Sequence, residues 1–96
     1  MQKPSQIKLS VSFIRQGKQV VAYSPALDLS TVGKSEKEAK RRFGNAVDIF
    51  FEELVEMGSL EKVLHGLGWQ KKPARPWEPP KVLKEQSVGV RIPVAA

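Results

Sequence analysis

The side chains able to carry chemistry are few in this chain. It has one histidine and no cysteine, so thiolate catalysis, disulfides and cysteine-based zinc sites are excluded together. His65 is the only imidazole, and a general base needs an orienting partner and a substrate or nucleophile within hydrogen-bond reach. In "SLEKVLHGLGW" it has neither, and it reads as a surface residue of a short helix. Asp28, Asp48 and Glu52 are the carboxylates that a divalent-ion nuclease site would need. Asp48 and Glu52 stand one helical turn apart, on the face opposite Ala46 and Phe50, which turns them toward solvent. "GKS" at Gly33 to Ser35 matches the end of a phosphate-binding loop, but that pattern needs a glycine five residues before Gly33, where the chain has Asp28. No catalytic residue, metal site or cofactor is therefore expected.

The remaining candidate is a segment of interleaved cations and rings, Trp69, Lys71, Lys72, Arg75, Trp77, Lys81 and Lys84. Such a pattern can follow a phosphate backbone and stack bases. The alternative is a linker whose tryptophans plug the domain or a neighbouring subunit while its lysines stay solvated. Charge has the same distribution: the net +6 divides into +2 over residues 1–57 and +4 over 58–96.

These residues must be positioned by a small body. With 96 residues, 41% hydrophobic and 27% charged, the chain suits one globular domain. No apolar run approaches the roughly 20 residues that span a membrane. The N-terminal "MQKPSQIKLS" lacks the apolar region and cleavage site of a secretory signal, so the cytoplasm is the expected compartment. "IKLSVSF" alternates Ile7, Leu9, Val11 and Phe13 with polar residues, the period of a strand. "RQGKQ" then suits a hairpin loop and "VVAY" a second strand. Pro25 interrupts it, and "LDLSTVG" resumes with Leu27, Leu29 and Thr31 on one face.

Ser35 and Glu38 have the spacing of a capping box. The helix they open carries Ala39, Phe43, Ala46, Val47, Phe50, Leu54 and Val55 as one stripe and ends at Gly58. Its polar face runs from Lys37, Lys40, Arg41 and Arg42 to Asp48, Glu52, Glu53 and Glu56, the reverse of what the helix dipole favours. Ser59 then caps a short helix with Leu60, Val63, Leu64 and Leu67 inward, and Trp69 is expected to be buried. "QKKPARPWEPPK" reads as an extended, polyproline-like spacer. "SVGVRIPV" alternates Val88, Val90, Ile92 and Val94 and predicts a last strand, paired in its own sheet or added to another chain's edge. Val88, Val90 and Ile92 are the candidate oligomer contacts, with exchange between protomers as the hypothesis.

The order Tyr23-Ser24-Pro25-Ala26-Leu27, then Gly33-Lys34-Ser35, then Glu38-Ala39 and a helix through Leu54 resembles the HicB-like family, the antitoxin halves of small toxin–antitoxin pairs. The resemblance covers about residues 7–69, and "SLEKVLHGLGW" looks like the family's second helix. It implies a truncated ribonuclease-H-like layout without the acidic cluster, and a non-enzymatic role in blocking a small RNA-cleaving toxin.

The expected protein is thus α+β: a three-stranded antiparallel sheet packed by one long and one short helix (1–69), a basic proline-rich linker (70–85) and a C-terminal strand (86–96). A homo-oligomer, a small ribonuclease toxin as partner and no membrane association are expected. Nucleic-acid binding through the basic aromatic segment is the alternative.

Overall fold

A computed structural model describes residues 7–73 and 77–94. The fold is α+β. Its elements run β1 (Ser12–Gln16), β2 (Gln19–Ser24), β3 (Leu29–Gly33), α1 (Glu36–Met57) and α2 (Leu60–Gly66), and the strands form one antiparallel sheet in the order β1-β2-β3.

The first strand begins later than the alternation predicts. Ile7 to Val11 lie outside the ladder, although Leu9 and Val11 still pack on the core. The hairpin register depends on a two-residue loop, Gly17 and Lys18, with Gly17 at φ +59°, the backbone sign a type II′ turn needs at its first position. Pro25 to Asp28 make the next corner, with Asp28 at φ +49°. Aspartate tolerates this left-handed conformation better than most residues.

Pairing sorts the side chains into two faces, because directly opposed residues point the same way. Val20, Ala22 and Ser24 of β2 are buried and face α1, as do their partners on β3: Gly33, Thr31 and Leu29. The other face presents Ile14, Val21 and Val32 in one row and Ser12, Tyr23 and Ser30 in the next. Helix α1 packs across β3 and β2. Phe13, which shares the helix side with Ala22, is therefore left at the margin and is 37% exposed.

Capping chemistry sets both ends of α1. Ser35 Oγ accepts from the Glu38 N–H at 3.1 Å, while Glu38 Oε1 accepts from the N–H of Lys34, one residue before the cap. Gly58 ends the helix at φ +69°, and the Ser59 N–H reaches back to Leu54 O. Ala39, Phe43 and Leu54 are buried and Ala46, Val47 and Phe50 half-buried, but Val55 is 65% exposed and does not join the stripe. The first turn carries Glu36 and Glu38, which suits the dipole, and the last turn carries no base.

Three devices hold the start of α1 against β3. Thr31 Oγ1 donates to Ala39 O and Arg42 Nη1 to Val32 O, both at 3.0 Å. Gly33 supplies the third, since a Cβ there would lie 2.5 Å from Ala39 N and 3.0 Å from Ala39 Cα. These are backbone atoms, so relief requires moving the helix. Ala39 and Phe43 join Val20 and Ala22 in one core cluster, and Ala26, Leu27, Leu64 and Trp69 form a second under α2.

The chain after α2 departs from a simple spacer. Gln70 and Glu78 exchange two backbone hydrogen bonds, at 3.0 and 2.7 Å, folding the segment back on the body. Pro80 then sits over Gly68, whose φ is +91°. The expected C-terminal strand is not paired: Val88, Val90 and Ile92 are 73%, 79% and 80% exposed and belong to no ladder. Pairing of an edge needs a second strand alongside it, and none lies beside this one among the described residues.

Replacing Gly33 by alanine is expected to destabilise the domain by about 1–3 kcal/mol, the range for forcing atoms into a filled space. Urea unfolding followed by circular dichroism reads this directly, and an unchanged midpoint would show that α1 shifts freely on β3.

Candidate functional site

The basic aromatic segment and the open sheet face are the two surfaces to weigh. Trp69 is 2% exposed. Its Nε1–H donates to Ala26 O at 2.7 Å, and its ring meets Phe51 edge-on at 6.3 Å. This indole is committed to the interior. Trp77 is half-buried, with His65 edge-on at 5.2 Å and Lys71 Nζ 5.5 Å from its ring centre. His65 is thus an exposed packing partner of Trp77.

The cations of the segment divide. Lys71 Nζ bonds Glu61 Oε1 at 3.0 Å, and Lys81 Nζ lies 3.9 Å from Glu78 Oε1. The lysine beside Glu61 holds its carboxyl below the usual range, through the hydrogen bond first and the charge second. Lys72 is exposed, and Arg75 lies outside the described residues. Trp69, Lys71, Trp77 and Lys81 therefore surround the exit of the chain from α2 and pair largely with the protein itself. They do not align their rings as a stacking platform.

The carboxylates are likewise dispersed: among the described residues no group of three or more His, Cys, Asp or Glu side chains has metal-binding geometry. Asp28 is engaged with Tyr23 rather than with Asp48 or Glu52. The Tyr23 hydroxyl donates to Asp28 Oδ1 at 3.0 Å across the corner.

Sequence reasoning did not single out the outer face of the sheet. Ile14 is 43% and Val32 38% exposed, with Val21 half-buried between them. Tyr23 adds an aromatic ring with a polar tip in the adjoining row, beside Ser12 and Ser30. No charged side chain interrupts these two rows. The signal for this face was present in "VVAYS", where Val21 and Tyr23 are as β-prone as their buried neighbours. Among the described residues both helices pack on one side of the fold, and this face has no helix over it.

No protein-family model matches the sequence, and neither the curated proteins nor the solved structures give a match. Among the described residues no helix is long and apolar enough to cross a membrane.

Tyr23 offers a local probe of the site, because it is the chain's one tyrosine. Donation to Asp28, then burial and the carboxylate's charge, raise its phenol above the ordinary value of 10.0. Any contribution of this bond to stability is present below the unfolded pKa and is lost as pH rises through the folded one. Ultraviolet titration of the phenol is expected to show a raised midpoint that falls back toward the ordinary value in Asp28→Asn. An unshifted midpoint in the parent chain would mean that the bond does not persist in solution.

Proposed function

We propose that this chain is a non-enzymatic binding module, a HicB-like antitoxin or stand-alone relative of that family, working in the cytoplasm. On this reading it has the family's truncated ribonuclease-H-like layout and blocks a small RNA-cleaving toxin sterically. The observation that carries the reading is the uncovered, uncharged sheet face with its Ile14-Val21-Val32 row and Tyr23. Apolar and aromatic side chains without charge are the composition that protein-binding cores favour. A rigid sheet presents such a patch at little entropic cost. Blocking a cleft needs shape and contact area, and no acid, base or metal.

The residues behind the family resemblance support the same reading through their structural roles. Pro25 to Leu27 turn the corner, Gly33 lets α1 approach, and Ser35 with Glu38 starts the helix. They build the platform and leave its outer face free. Nucleic-acid binding by the basic aromatic segment has weaker support, since Trp69 is interior and Lys71 and Lys81 face carboxylates.

The test is co-expression with the product of the adjacent reading frame, followed by light scattering of whatever co-purifies and by growth assay. A stoichiometric complex with rescue of growth is expected. In the double variant Ile14→Thr with Val32→Thr, binding should weaken by tenfold or more, as loss of a central apolar contact does, while the β-branched threonines keep the strands paired and circular dichroism shows the parent's fold. Full rescue by that variant would move the interface elsewhere, and the absence of any complex would remove the antitoxin reading.

A further inference from the structure

The tail from Val82 to Val94 pairs with no strand among the described residues, yet its composition is that of a strand. Val88, Val90, Ile92 and Val94 alternate with Ser87, Gly89, Arg91 and Pro93, and these apolar residues are 73% to 92% exposed. The long dimension of the molecule is 61 Å and its radius of gyration 16.5 Å. A compact domain of this length has about 12.5 Å. An alternating apolar strand held in water has something to gain from a sheet edge.

The root of the tail lies against the body, where Pro79 to Val82 line one pocket with Leu9 and Ala26. The Gln70–Glu78 bridge fixes the exit point, Pro80 is seated over Gly68, and the Pro79-Pro80 pair stiffens the chain as it leaves. Beyond that point Val88, Val90, Ile92 and Val94 are exposed.

The two edges of the sheet are not equivalent as receptors. On β3, the Val32 carbonyl already accepts from Arg42, and α1 closes in at Gly33. On β1, the only ladder among the described residues is with β2. Its Phe13 and Ile14 are 37% and 43% exposed on opposite faces. An added strand would cover both, Phe13 from the helix side that α1 does not reach.

We propose that residues Ser87–Val94 of one copy add as a strand to the outer edge of β1 in a second copy, reciprocally, so that two chains close into a dimer. Reciprocity makes the interface self-complementary and leaves no β1 edge open. Pro93 has no N–H to offer, so the added strand is a poor template for a further one, and growth stops at two chains. The readout below is the mass of this chain alone and does not depend on any toxin partner.

Light scattering of the full chain at micromolar concentration should give twice the monomer mass. The variant Val90→Asp with Ile92→Asp should give the monomer mass, with circular dichroism and melting of the body unchanged because these side chains are 79% and 80% exposed and belong to no ladder. A monomeric parent chain, or a dimer that survives the double substitution, overturns the proposal. The absence of native cysteine allows a positional check: chains carrying Arg15→Cys and Val90→Cys, mixed and treated with a short thiol cross-linker, should form the mixed dimer. A parent dimer that yields no such product would place the contact away from the β1 edge.

Discussion

The architecture depends on one buried ring. Trp69 donates its indole N–H to Ala26 O at the β2–β3 corner, its own backbone N–H bonds Leu64 O at the end of α2, and its ring packs against Phe51 of α1. A tryptophan buries roughly 150–250 Å², worth about 4–6 kcal/mol at 25 cal/mol per Å². The hydrogen bond adds only about 1 kcal/mol. Burial therefore supplies the energy and the hydrogen bond the orientation. Because the partner carbonyl is buried, losing the donor would also leave it unsatisfied, which is what makes the ring's pose specific.

From that clasp the rest follows in order. With the corner, α1 and α2 tied together, the chain leaves Trp69 at a fixed place, and the Gln70–Glu78 bridge and Trp77 extend the clasp outward. At the other end of the sheet, Gly33 and Ala39 let strand and helix approach as far as backbone contact permits. A helix docked this closely on β3 covers β2 as well but leaves β1 at the margin. The open sheet face and the exposed β1 edge are consequences of the same placement. Among the described residues three strands and two helices form two layers, and the second face of the sheet carries no layer.

Much of this was legible in the chain. The hairpin, the Pro25 corner, the Ser35 cap, the Gly58 stop and the burial of Trp69 each have a local chemical signature, and each sits where that signature placed it. The start of β1 is not legible, because Leu9 and Val11 alternate as a strand would but pack on the core without a ladder partner. The spacing of Val55 fits the apolar stripe, but the folded helix leaves it 65% exposed. Similarly, the proline-rich segment looked like a spacer because no sequence rule reveals that Gln70 and Glu78 meet. The candidate site was read least well. Rings and cations interleaved along a sequence suggest one ligand, but packing sent Trp69 inward, left Trp77 between His65 and Lys71, and paired Lys71 with Glu61. The sheet's outer face lacked any polar motif to announce it.

Trp69 belongs to the interior and ties the start of the basic aromatic segment to the fold, which is why the proposed binding surface is the sheet rather than this segment. The most direct test is the fluorescence of the chain carrying Trp77→Phe, in which Trp69 is the remaining indole. Emission at the short wavelengths of a buried ring, resistant to iodide quenching and unchanged by added single-stranded RNA, is the predicted result. Emission of a water-exposed indole, or quenching as RNA is added, would contradict it and return the segment to nucleic-acid binding.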